Sequence, residues 1–272
     1  MKRQLLLALF VSLLCCIVAV AVLIYPALNP PNQPKILDSA ITKAINYIKD
    51  TREPYALLWL DAMYRRFQIA EFADAIQKYD EEITNRPSEA SILRVFRRIA
   101  DHNNQLHQGD LQAVTFDTDR VTVPALYCDR FGLPDDYAAT LEREANRGGY
   151  YLTHVLLALI WIEENGCEPP VPNEFIQNIY QSTAALIGVD PVVEDLELEA
   201  AAFLYLAGRG DLVSNAFIDR VIEAQNDDGG WTRFHETPGN SDWHATVLGL
   251  FILLHVKYPA NSYPPMLNPA PV

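Results

Sequence analysis

Three apolar segments of the chain, Thr153–Trp161, Leu198–Leu206 and Trp243–Phe251, carry an acid or a histidine at one repeated point. His154 and Glu199 are 45 residues apart, and Glu199 and His244 are again 45 apart. Repeats of this length are the mark of helix pairs stacked in series. Such a stack returns equivalent positions to equivalent places. The register therefore predicts that His154, Glu199 and His244 converge near one axis. Length and composition agree: 272 residues, half of them apolar, can bury a large core in one or two domains. Helical spacing dominates and alternating strand patterns are scarce, so the expected class is all-α.

The helices can be placed from their punctuation. Asp38 is read as the cap of a first helix running to about Asp50, and Pro54 as the first turn of a second, through Phe67. Glu71–Ile83 and Ser88–Asp101 are the third and fourth. Residues 107–123 break the rhythm and are read as a long loop with a short strand pair, of the kind often tied to function. Regular pairs follow: Asp135–Asn146 with Tyr151–Glu164, Pro172–Leu186 with Glu194–Ala207, and Leu212–Gln225 with Ser241–Val256. The outer members share a pattern, Phe175–Ile179 and Phe217–Val221.

Lys2 and Arg3 precede an uncharged apolar run, Leu5–Tyr25, of 21 residues. About 20 apolar residues span a bilayer, whereas the apolar part of a signal peptide is usually about 7–15. A retained anchor is therefore expected over a cleaved signal. The next cation is Lys35, so the positive-inside rule places residues 1–4 in the cytoplasm and the main domain outside. Pro30, Pro31 and Pro34 make residues 26–35 a stiff tether. The folded domain is expected over 36–257, with a proline-rich tail at 258–272. Cys15 and Cys16 lie in the apolar run. Cys128 and Cys167 form either one disulfide or two buried thiols, since a single pair sets no diagnostic spacing. A net charge of −14 argues against nucleic acid as a partner.

Gln225, Gly229 and Trp231 fit the Q-x3-G-x-W turn, and this stretch resembles the repeats of squalene and terpene cyclases. Those repeats have an aromatic residue at the position of Arg220. Over Gln225–His255 the chain is also similar to the β-subunit of protein prenyltransferases, in which a Gly-Gly turn leads to an Asp-aromatic-His helix start. Here those places are Gly229-Gly230 and Asp242-Trp243-His244. The resemblance implies an α/α toroid, a ring of helix pairs around a cavity, with His244 as a zinc ligand. That family's Asp-x-Cys pair falls on Glu197-Leu198-Glu199, which has no cysteine. The acidic motif of hopene-type cyclases has no counterpart, because Asp135-Asp136 reads as a helix cap. The resemblance covers the last half of the folded domain best.

Two readings of the central residues follow. In one, His154, Glu199 and His244 hold zinc or non-haem iron, with Glu197 and Asp242 as further ligands or as groups that orient them. In the other, Thr153, Glu197 and Asp242 cap helix starts and the histidines bond across repeats. Tyr150, Tyr151, Trp161, Tyr205 and Trp243 are candidates to line the cavity. His102, His107, His235 and His255 are expected at the surface or in loops, and Arg94, Arg97 and Arg98 on a solvated face. Cys128 beside Asp129 has no base nearby to make it a nucleophile. Three functions are compatible with these features. The first is an extracytoplasmic domain that binds a ligand or protein partner in its cavity. The others are a metal-dependent enzyme, and an isoprenoid- or lipid-binding relative of the cyclases.

Overall fold

Residues 33–233 and 239–268 are described by the computed structural model. The chain divides into two compact units, residues 1–39 and 40–272. The expected anchor at 5–25, Cys15, Cys16, His235 and the end of the tail lie outside the described residues. Among the described residues no helix is long and apolar enough to cross a membrane. Of the first unit, only the opening turns of helix α1 (Gln33–Ile48) are described.

The second unit is all-α. After α1 come α2 (Pro54–Phe67), α3 (Ala75–Asn85), α4 (Ala90–Phe96), α5 (Asp117–Leu126) and the short α6 (Cys128–Phe131). Three helix pairs follow: α7 (Tyr137–Arg147) with α8 (Gly149–Glu164), α9 (Asn173–Ala184) with α10 (Asp195–Leu206), and α11 (Asn215–Glu223) with α12 (Trp243–Lys257). The two members of a pair differ as their sequences dictate. In α8, α10 and α12 most side chains are buried, because these helices are largely apolar all round. In α7, α9 and α11 only a narrow stripe is buried, such as Phe217, Ile218 and Val221 of α11. Helix α10 packs between α8 and α12, while α5 lies on α8 and α2 on α12. Trp59 of α2 ties these helices together, stacking on Phe203 at 6.0 Å and meeting Phe251 edge-on at 5.1 Å.

The turn between α11 and α12 has a mechanical reason for each of its residues. The Gln225 amide donates to the carbonyls of Gly229 (2.9 Å) and of Ala40 in α1 (2.8 Å). Gly229 has φ 98°, and a Cβ there would stand 2.4 Å from the Lys43 carbonyl oxygen. Trp231 is fully buried, donates from its indole to Val221 O at 2.7 Å, and lies on the bare backbone of Gly249. The turn closes with two short antiparallel strands, β1 (Trp231–Thr232) and β2 (Ser241–Asp242).

Several expectations are corrected. Residues 107–123 form a 3-10 turn (Asp110–Ala113) and the start of α5, with no strand among them. Asp117 and Asp119 open that helix, where acids suit the dipole. Asp38 is inside α1 rather than capping it. Arg98 is buried, not solvated: it donates to both Asp129 oxygens at 2.6 Å and to Leu126 O. Arg94 and Arg97 pair with Asp110 and Asp80. Cys128 is joined to Cys167 by a disulfide, which removes it as a nucleophile. The described part of the tail is no loose end. Arg65 donates to the carbonyls of Pro265 and Met266, and the Glu164 carboxylate accepts from the amides of Met266 and Leu267.

Candidate functional site

Each inner helix of the three pairs delivers one polar side chain to the same level from its first turns. Helix α8 starts at Gly149, so Tyr150 sits in its first turn and His154 one turn later. Helix α10 starts at Asp195, and Glu199 follows one turn on. Its start is fixed by Glu197, whose carboxylate accepts from the amides of Glu194 (2.9 Å) and Gly188 (2.7 Å). Asp242 is the N-cap of α12 and accepts from the amide of His244 at 2.8 Å. Glu197 and Asp242 are thus capping groups, as the second sequence reading has it. Thr153 is not one: its hydroxyl meets Tyr150 O and the Glu199 carboxylate.

The three residues in register do converge. Glu199 stands between the two imidazoles, with Oε1 3.4 Å from His154 Nδ1 and Oε2 3.4 Å from His244 Nε2. The chain of polar contacts extends further. His244 Nδ1 reaches both oxygens of Asp195, at 2.8 and 3.0 Å, and the Tyr150 hydroxyl donates to Asp195 at 2.7 Å. Arg233 Nε lies 3.7 Å from the same carboxylate. Nδ1 of His154 donates to Tyr150 O at 2.8 Å, one helical turn back. Among the described residues its Nε2 has no hydrogen-bond partner.

Burial and charge oppose each other here, and charge prevails. Burial pushes His244 towards the neutral form, but its bonds to Asp195 and Glu199 raise its pKa to about 9. Burial likewise works against protonated His154, yet the Glu199 charge and the Tyr150 carbonyl hold its pKa above the ordinary value. Burial would raise Glu199, but the two histidines pull it down to about 2. At neutral pH Glu199 is therefore a carboxylate and His244 an imidazolium clamped between two acids. Burial raises the Tyr150 hydroxyl, and the Asp195 charge raises it further.

A cavity of about 150 Å³ opens beside these groups. His154, Glu199 and His244 line its polar side together with Asp119 of α5. Its walls are the rings of Tyr55, Trp59, Phe96, Trp161, Phe203 and Trp243. Two polar atoms stand out there. The Trp161 indole N–H is buried and has no hydrogen-bond partner among the described residues. The Asp119 carboxyl also accepts no hydrogen bond among them, and burial raises its pKa against the pull of His154.

Of the aromatic residues singled out from the sequence, Trp161 and Trp243 line this cavity. Tyr205 lines a different one. Tyr151 lines neither, because the Arg147 guanidinium covers its ring at 3.3 Å. His255 is buried rather than superficial, for it lies on the apolar inner helix α12. Tyr150, expected to line the cavity, lines neither cavity, and its hydroxyl is bound to Asp195; Asp195 and Asp119 were not singled out. For Asp195 a signal existed: it lies 45 residues after Tyr150, and each stands four residues before a register position. Asp119 carried none, since it belongs to a segment read as loop.

Among the described residues no group of three or more histidine, cysteine or acidic side chains is arranged to hold a metal ion. With both nitrogens of His244 turned to carboxylates, that ring has no lone pair to offer. Compared with known proteins, the chain matches no protein-family model, no curated protein and no solved structure.

Proposed function

We propose that this chain is a membrane-anchored, extracytoplasmic domain, kin to the α/α toroids, that binds a small organic molecule in the cavity beside His154. The observation that carries this reading is the composition of that one cavity. Six aromatic rings face a polar edge on which Trp161 offers an unused N–H, His154 an unused nitrogen and Asp119 an unused carboxyl. Buried polar groups are ordinarily paired, and unpaired ones in a cavity wall favour a ligand that pairs them. A cavity of this size admits roughly a benzene-sized body. The ligand class is therefore a short apolar chain or ring ending in a hydroxyl or carbonyl, which suits a domain held at a lipid surface. The Cys128–Cys167 disulfide supports the outer location, since disulfides persist in oxidising compartments. His154 and Asp119 give the site a proton donor and acceptor; the clamped His244–Glu199 pair holds the surrounding field fixed.

The test is binding of cyclohexanol, a benzene-sized apolar ring with one hydroxyl, followed through tryptophan fluorescence. Saturable quenching in the wild type, lost in Leu157→Trp, is the expected result. Quenching that never saturates, or that survives the filled cavity, would sink the reading.

A second reading, a zinc or iron enzyme, draws on the meeting of two imidazoles and a carboxylate. It requires His244 to release one acid and turn a lone pair to the metal. Metal analysis of protein purified without chelators, beside a His154→Ala/His244→Ala variant, decides it. Stoichiometric metal lost in the variant supports it, and no metal in the wild type rejects it.

A further inference from the structure

A second cavity, of about 460 Å³, lies under the C-terminal strap of residues 259–265. Its walls include Arg66 at the end of α2, Tyr205 of α10, His255 of α12, and Tyr263 of the strap. Arg66 is the unusual member. Its side chain is only 3 % exposed, yet it has no close anionic partner. Nη1 contacts His255 Nε2 at 3.3 Å. Since His255 Nδ1 donates to Phe251 O at 2.8 Å, the imidazole is a neutral acceptor towards Arg66. The nearest carboxylate, Glu164, stands 3.8 Å from Nη2, and its two oxygens already accept from the amides of Met266 and Leu267. Nε–H is buried and has no hydrogen-bond partner among the described residues.

Nε and Nη2 form the side of a guanidinium that grips a carboxylate through two parallel bonds. On Arg66 that side lacks a bonded oxygen. A buried cation so lightly paired is costly, and an anion that completes it gains what the protein leaves unmade. The rest of the cavity favours a ring. His255 is 4.5 Å from Tyr263 and 5.3 Å from Tyr205, centroid to centroid, and Arg66 lies over the rings of Phe251 and Tyr263. Glu163 and Glu164 also line the cavity, and their charge disfavours a dianion such as phosphate. A flat monoanion meets both conditions.

We propose that the cavity beneath the strap is a second ligand site, which takes a small aromatic carboxylate gripped by Arg66 and stacked among Tyr205, His255 and Tyr263. This inference does not depend on the cavity beside His154.

The experiment uses the full chain in detergent micelles, with benzoate and its neutral analogue benzamide as probes, titrated by calorimetry. Benzoate is expected to bind at least tenfold more tightly than benzamide. Arg66→Gln should erase that preference, and Ala207→Trp, which fills the cavity without touching Arg66, should abolish binding of both. Cyclohexanol binding at the other cavity should survive Ala207→Trp, which separates the two sites. Absence of saturable benzoate binding, equal affinity for the two probes, or a preference retained in Arg66→Gln would each overturn the proposal. Should Arg66→Gln fail to fold, the wild-type preference together with Ala207→Trp decides.

Discussion

His244 and His255 stand on one helix, about three turns apart, with similar apolar neighbours along α12, and yet they carry different charges at neutral pH. Burial depresses the pKa of both. At His244 the depression is overcome by Asp195 and Glu199, which lift the pKa to about 9. At His255 the principal neighbour is Arg66, and burial with that like charge drives the pKa down to about 3. The comparison teaches that desolvation sets only the starting point in this core. The sign of the nearest ionic partner decides the outcome.

The harshest way to break the contrast is Glu199→Gln, which keeps shape and removes the shared counter-charge of two histidines. Removing one partner of a buried ion pair costs about 3–5 kcal/mol. Urea denaturation at pH 7 should show a loss of that order, and a loss below about 1 kcal/mol would mean the charges are not coupled as described.

The pH dependence of stability sharpens the contrast next. The folded pKa of His244 is raised above its ordinary 6.5, so its stabilisation is complete below pH 6.5 and disappears as pH rises towards about 9. The folded pKa of His255 is depressed, so its neutral form favours folding above pH 6.5, and that advantage disappears as pH falls towards about 3. At about 1.4 kcal/mol per pH unit, the alkaline limb is worth about 3–4 kcal/mol and the acid limb about 5 kcal/mol. His244→Asn should flatten the alkaline limb, and His255→Asn should flatten the acid limb and leave the alkaline one in place, read from denaturation midpoints across pH. An alkaline limb that survives His244→Asn, or an acid limb that survives His255→Asn, would reverse the assignment.

A milder change tests whether the helix start matters to this balance. Asp242→Ala removes the N-cap of α12 two residues before His244. It should cost about 1 kcal/mol by thermal unfolding. The imidazole resonance of His255 should be unmoved, and movement there would show that the two ends of α12 are not independent.

Much of the architecture was legible. The inner helices announce themselves by unbroken apolar runs, and the outer ones by a stripe such as Phe217, Ile218 and Val221. Pro54 marks the start of α2 and Asp242 the start of α12, because both act through their own local backbone. The convergence of His154, Glu199 and His244 was legible as well, since a constant repeat carries equal positions to equal places. What the repeat cannot report is which partner each group meets. Asp195 takes His244 Nδ1 from across a helix–helix contact, and Asp119 enters the cavity from α5, outside the regular pairs. The burial of His255 and Arg98 was missed for a related reason: a lone polar residue in sequence says nothing of the carbonyl, ring or carboxylate that awaits it. The acidic start of α5 was hidden by an aspartate-rich stretch whose helical spacing is short and includes Pro124.

The ties between α1 and the last turn have a consequence for how the chain is made. Gln225 reaches Ala40 across 185 residues, and Tyr47 donates to the Ser241 carbonyl across 194. At the usual pace of synthesis, about 5–20 residues per second, α1 emerges roughly 10–40 s before these partners exist. During that interval the buried face of α1, with Ala40, Ile41, Ala44 and Ile48, has nothing from the final repeat to cover it. The first of the described helices is thus among the last to be secured, and a nascent chain arrested before Trp231 leaves that face open to chaperones and proteases.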